Sequence, residues 1–293
     1  MKKTAILGVL LAALVLLLSG CEGLNFFEFN LFEELQYIDP AGTATDITTD
    51  PDTTNTEKMD QIEDLMDSDQ FLESLQNDPT ALATIVEYLE GLVDGPADQP
   101  EEQQALLLTA KIDIQTTGGD ELVGGVVTMF TDMLSQEEGD PEPSMGTIIG
   151  AILPDGTGVT DFTSMVTGLY NANDAYDELG TALTGDTTLN VEGLNEGEMA
   201  QNILVANILS NCINDIAGVA DPDETEVAEA AAELFVFLEA VKTAENPDEV
   251  TSPFSTDEFD PFEDLTTEGS GIYNLLGETA LLGLLEGLGG SEE

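Results

Sequence analysis

From residue 57 onward, apolar positions recur three or four residues apart, the period of a helix with one face toward a core. Leu82, Ile85, Val86, Leu89, Leu92 and Val93 form one such stripe. Asp78-Pro79 precedes it, where Asp caps and Pro fits the first turn, and Gly95-Pro96 follows as a stop. Between Pro100 and Thr116, Leu107, Ala110 and Ile114 fall on one face. Leu122, Val123, Val126, Val127, Phe130, Met133 and Leu134 make the next stripe, with Asp120 as its expected cap after Gly118-Gly119. Thr160 is expected to open a helix bearing Phe162, Met165, Val166, Leu169, Tyr176 and Leu179.

Two more helix starts carry capping signals. Asn195-x-x-Glu198 is a capping-box pattern ahead of Ile203, Leu204, Ile208, Cys212 and Ile216. Asp221-Pro222-Asp223-Glu224 precedes Val227, Ala231, Leu234, Leu238 and Val241, a 4-3-4-3 spacing that reads as the seam of one helix laid along another. No alternating strand pattern of useful length occurs. The expected fold class is all-α, an irregular helical solenoid or an orthogonal helix bundle of about 8–11 helices.

Starts near 78, 100 and 120 predict short connections and antiparallel neighbours, with a two-helix period of about 42 residues, near that of helical-repeat arrays. The junction Asn77-Asp78-Pro79 resembles the one between tetratricopeptide repeats, although the matching Gly, Tyr and Ala positions of that family are absent. The resemblance implies a repeat-like helical body.

The organisation follows from breaks in this pattern. Residues 57–245 read as the helical body. Residues 246–269, with Pro247, Pro253, Pro261 and many acids, read as a loop or lid. Residues 270–293 read as a nearly apolar helix closing the body, because Glu278 and Glu286 would be costly inside lipid. Ahead of the body, residues 21–56 read as a flexible tether, rich in Thr, Asp, Pro and Gly over 40–57. A short aromatic helix is expected at its start, around Phe26, Phe27, Phe29 and Phe32.

Residues 1–20 pair a basic start, Lys2 and Lys3, with an apolar run from Ala5 to Leu18 that is short for a membrane span. They read as a signal peptide. Leu18-Ser19-Gly20-Cys21 resembles a bacterial lipobox, and the resemblance covers this leader alone. It implies cleavage before Cys21, acylation of the Cys21 sulfur and attachment to a membrane, with the body outside the cytoplasm in the cell envelope. Acyl chains contributing roughly 0.8 kcal/mol per buried CH₂ would hold it there durably. Lipidation would consume one of the two cysteines and leave only Cys212, which lies on an apolar helical stripe and is expected to be a buried structural thiol.

Composition then removes most chemistries. The 293 residues carry 60 acids against 5 Lys and no Arg, for a net charge of −55, and loss of the leader with its two lysines deepens it to −57. Without Arg, and with three Lys beyond the leader, there is no basic surface to neutralise a nucleic-acid backbone. With no His there is no imidazole base, no Ser-His or Cys-His pair and no imidazole metal ligand. Over roughly 11,000 Å² of surface, like charges would sit about 14 Å apart, against a screening length of about 10 Å in 0.1 M salt and 3 Å in 1 M. Such a body is suited to salty surroundings.

What remains is weaker. Carboxylate pairs able to hydrolyse glycosides arise by chance among 60 acids, and no Trp is present as a sugar platform. No catalytic residue, metal centre or cofactor is expected. Asp50, Asp52 and Asn55, or Asn171, Asn173, Asp174 and Asp177, offer oxygen ligands to calcium, but neither has the twelve-residue loop of a dedicated site. Phe254, Phe259 and Phe262, in an acidic loop, would dock into a partner's groove or pin the loop to its own core. The expected function is a lipid-anchored, non-catalytic envelope protein acting as an interaction scaffold or accessory binding component. The alternative is a substrate-binding accessory of a membrane transporter.

Overall fold

A computed structural model of the chain describes residues 39–93, 99–135, 153, 156–183, 189–191, 195–244, 249–254 and 270–277. The leader, Cys21, the Phe26–Phe32 stretch, Phe259, Phe262 and residues 278–293 lie outside these. Among the described residues the fold is all-α, with ten helices and no strand. In chain order they are α1 (Pro40–Thr49), α2 (Asn55–Met66), α3 (Asp69–Gln76), α4 (Pro79–Glu90), α5 (Pro100–Thr117), α6 (Gly119–Ser135), α7 (Val159–Ala182), α8 (Glu196–Ala217), α9 (Glu224–Thr243) and α10 (Gly271–Gly277).

Local chemistry starts these helices. The Thr54 hydroxyl accepts from Glu57 N while the Glu57 carboxylate accepts from Thr54 N, and Asp223 and Glu226 form the same reciprocal pair ahead of α9. Asp78 accepts from the Thr80 and Ala81 amides, with Pro79 in the first turn. Asn77 ends α3 and Asp78 caps α4, so two residues suffice to turn the chain. Asn195 accepts from Glu198 N, and the Glu198 carboxylate accepts from the Asn195 side-chain amide. Acids in these first turns also oppose the positive end of the helix dipole.

Two hydrophobic cores result, and α5 is the wall between them. Ala105, Leu108 and Ile112 face the first core, with Met59, Ile62 and Met66 of α2, Phe71 and Leu75 of α3, and Ile85 and Leu89 of α4. Leu106, Ala110 and Ile114 point the opposite way, into a second core built on α7. Each large side chain buried this way contributes roughly 1.5–3 kcal/mol. Leu107, Ala110 and Ile114 had predicted a single buried face; the helix has two because it is enclosed on both sides.

The second core is organised around α7, which packs against α5, α6, α8, α9 and α10. Small residues allow the closest approaches. A Cβ on Gly168 would overlap the Thr117 hydroxyl and the Asp113 carbonyl oxygen of α5, and one on Gly180 would overlap the Gly271 carbonyl of α10. Across the α7–α8 seam runs a line of amides. Asn207 donates to Asn173 Oδ1 at 3.3 Å, Asn211 donates to Asn207 Oδ1 at 3.3 Å, and the Tyr170 hydroxyl donates to Asn214 Oδ1 at 3.1 Å. Buried polar groups bonded across a helix seam penalise any other register of the two helices.

Two expectations are corrected. Residues 40–49, read as tether, form α1: Asp39 caps it by accepting from Gly42 N, Pro40 occupies the first turn, and Ala44 is buried against the first core. A Thr-rich segment stays helical here because packing against the first core outweighs low propensity, while Thr45, Thr48 and Thr49 satisfy their hydroxyls on carbonyls one turn back. Asp120 is not the cap of α6. Gly118, at φ 75°, ends α5 in the left-handed conformation that glycine adopts at little cost, and α6 begins directly at Gly119.

Candidate binding cleft

The three lysines beyond the leader each tie one element to another. Lys58 of α2 is buried, donates to the Thr48 carbonyl of α1 at 2.9 Å, and lies 5.6 Å from the centre of the Tyr88 ring of α4. Lys242 of α9 donates to the Leu153 carbonyl at 3.2 Å. Lys111 of α5 donates to Asp67 Oδ1 at 3.0 Å and, more weakly, to Glu63 Oε1 at 3.5 Å, both on α2.

Lys111 also lines a cleft of about 300 Å³ between α2, α5, α8 and the buried end of α7. Glu63 and Asp67 stand on one side, Asn195, Glu198, Met199 and Asn202 on the other, with Leu107, Leu108 and Gln115 of α5 between them. Helical spacing explains the α5 contribution: 104, 107, 108, 111 and 115 share one stripe, which borders the faces given to the two cores. Burial lowers the Lys111 pKa, but the hydrogen bond and charge of Asp67, with Glu63 and Glu198 nearby, outweigh that and hold it above the ordinary lysine range.

At the cleft's inner end Tyr176 is buried and hydrogen-bonded to the Asn202 side chain, and burial raises its phenol well above the usual range. Gln115 carries a different signal. Its Oε1 is buried and finds no donor among the described residues, while its backbone carbonyl accepts from Gln76 Nε2 at 3.3 Å. An orphaned amide oxygen costs roughly 1–3 kcal/mol.

Behind the cleft, burial pushes the carboxyl of Asp113 up to about 7, and the charges of Glu90 and Asp174 push the same way. Asp174 is itself raised, by burial and then by Asp221 and Asp177. These acids come from α4, α5, α7 and the turn after α8, so the titration of Asp113 depends on the whole packing.

The residues singled out by pattern fall elsewhere. Asp50 Oδ1 accepts from Asp52 N at 2.9 Å and its Oδ2 from the Thr53 hydroxyl at 2.6 Å, which closes the α1–α2 turn, while Asn55 Oδ1 accepts from the Tyr88 hydroxyl of α4 at 3.2 Å. Asn171, Asp174 and Asp177 are exposed on α7, whereas Asn173 is buried and bonded to Asn207. Among the described residues no group of three or more Cys, Asp or Glu is arranged to hold a metal ion. Cys212 is buried, and burial pushes its thiol up to about 12. Phe254 is half-buried and packs edge-on against Phe237 of α9, ring centres 6.0 Å apart.

Among the described residues no helix is long and apolar enough to cross a membrane. No protein-family model matches this chain, and no curated protein or solved structure matches it either.

Proposed function

We propose that this is a lipid-anchored, non-catalytic binding component of the bacterial cell envelope, held through Cys21 with its helical body outside the cytoplasm. The observation that carries the binding role is the cleft at Lys111, where amides and carboxylates from three helices converge on one small space. Its volume of about 300 Å³ is at the lower end of the range for ligand sites. A non-catalytic role is supported by how its carboxylates are engaged: Glu63 and Asp67 are tied to Lys111, and Glu198 to its own helix cap. Together with the absence of His, this leaves no obvious acid and base pair in the cleft. The lipobox-like Leu18-Ser19-Gly20-Cys21 supports the anchor.

The same cleft favours a second reading, the substrate-binding accessory of a transporter, which requires a membrane partner. Two measurements test the proposal. Mass spectrometry of the protein from membranes should find residues 1–20 removed and Cys21 acylated; an intact leader with a bare sulfur overturns the location. Affinity capture from detergent-solubilised membranes in high salt should recover one stoichiometric neighbour, and a membrane-spanning neighbour would select the transporter reading. Turnover of any small substrate by the purified protein would overturn the non-catalytic half.

A further inference from the structure

We propose that residues 24–38 lie along the lipid surface as a helix, with Leu24, Phe27, Leu31, Leu35 and Ile38 turned into the bilayer, and so seat the α1 end of the body against the membrane. The inference rests on the lipid anchor proposed above and adds a second, apolar contact with the same lipid.

The five positions are spaced 3-4-4-3, which puts them on one helical stripe. At about 100° per residue they span about 80° of the helix. No polar residue of the segment falls among them: Glu28 and Glu34 lie to either side, and Asn25, Glu33 and Gln36 toward the opposite face. The stripe ends at Ile38 because the next helix starts there. Asp39 is extended, at φ −89° and ψ 94°, precedes Pro40 and caps α1 by accepting from Gly42 N. α1 is fixed to the body in turn, by Ala44 in the first core and by Lys58 donating to the Thr48 carbonyl.

Lipid is the apolar phase within reach. Phe27 follows Cys21 by six residues, so even a fully extended chain keeps it within about 20 Å of the acylated sulfur. The nearby body offers the stripe no counterpart: among the described residues the large apolar side chains left exposed are Val159, Val219 and Val236, none of them on α1 to α5. No Lys or Arg lies between residues 21 and 57, so the contact is made by apolar burial and not by basic residues on anionic headgroups.

The chain has no Trp, so a single introduced Trp reports its own surroundings. Phe27→Trp puts one on the stripe, and Phe29→Trp makes the same change on the opposite side; Leu31→Trp repeats the stripe position. Each full chain, purified from membranes, is reconstituted in phosphatidylcholine vesicles with and without acyl-brominated lipid, at about 0.1 M and 1 M sodium chloride. Flotation checks attachment and circular dichroism checks folding.

Trp at 27 and 31 should emit at shorter wavelength than Trp at 29 and be quenched by the brominated lipid about threefold more, at both salt concentrations. Equal quenching at 27 and 29 would mean no oriented face and overturns the inference, as does quenching at 27 that disappears in 1 M salt. Absence of quenching at 27 in a chain that floats overturns it while the anchor stands; short-wavelength emission would then mean that the body or a second copy covers the stripe. A chain that does not float with the vesicles removes the anchor, and the inference falls with it.

Discussion

Gly168 of α7 sits so close to Thr117 of α5 that any side chain at 168 would overlap the threonine hydroxyl and the Asp113 carbonyl to which it donates. This is the crossing of the central helix with the wall between the two cores, so there is no slack to absorb a methyl group. Gly168→Ala should lower unfolding stability by about 1–3 kcal/mol despite its better helix propensity. Gly124→Ala, exposed in α6 with open space around it, should instead raise stability by about 0.5–1 kcal/mol. Urea titrations showing the same sign for both would remove the argument for a tight crossing.

Lys58 should matter more than a surface lysine does. Lys58→Met keeps most of the buried stem but loses the charged hydrogen bond to the Thr48 carbonyl, leaving that carbonyl without this donor. The expected cost is about 1–3 kcal/mol. Hydrogen exchange should show α1 opening more readily in the variant; unchanged protection there would mean α1 is held by Ala44 and its apolar neighbours alone.

Asp113 makes stability depend on pH with a definite sign. Because its folded carboxyl titrates near 7, above the unfolded value near 4, the folded state holds the proton more tightly. Stability from this group is fully present below about pH 4, falls as pH rises between the two values, and is lost above about 7, by at most about 4 kcal/mol. Other acids titrate too, so the readout is the difference between wild type and Asp113→Asn across pH 5 to 8. That difference should grow with pH in favour of the variant; a constant offset would contradict a buried, repelled carboxyl.

Thiol counting tests two sites at once. Cys212, buried with its thiol pushed up to about 12, should not react with a thiol reagent at pH 8 in the folded protein. In denaturant, membrane-derived protein should show one reactive thiol, because Cys21 is acylated, whereas Cys21→Ser protein made without the leader should also show one. Two reactive thiols in the membrane form would count against the anchor.

Salt should stabilise the fold. With a net charge of −55 and a screening length that shrinks from about 10 Å to about 3 Å between 0.1 and 1 M salt, self-repulsion fades. The thermal midpoint should rise by several degrees over that range, and a flat or falling midpoint would mean the surface charges are already compensated.

The sequence by itself determined the helical class, most helix starts and the charge. Caps such as Asp78, Asn195 and Asp223 act on amides two or three residues away, and an apolar stripe is a property of one helix, so both are written in short windows. The candidate site was not legible in that way. Lys111 and Gln115 share a stripe of α5 with nothing to mark them, and their partners Asp67, Gln76 and Glu198 are distant in sequence. Tertiary packing alone decided that α5 has two buried faces, that Thr-rich residues 40–49 become a docked helix, and that Phe254 packs edge-on against Phe237. The reason is physical: a hydrogen-bonded cap needs only its neighbours, whereas burial, a cleft and the pKa of Asp113 are set by whichever helices surround a residue. That arrangement is a property of the whole chain.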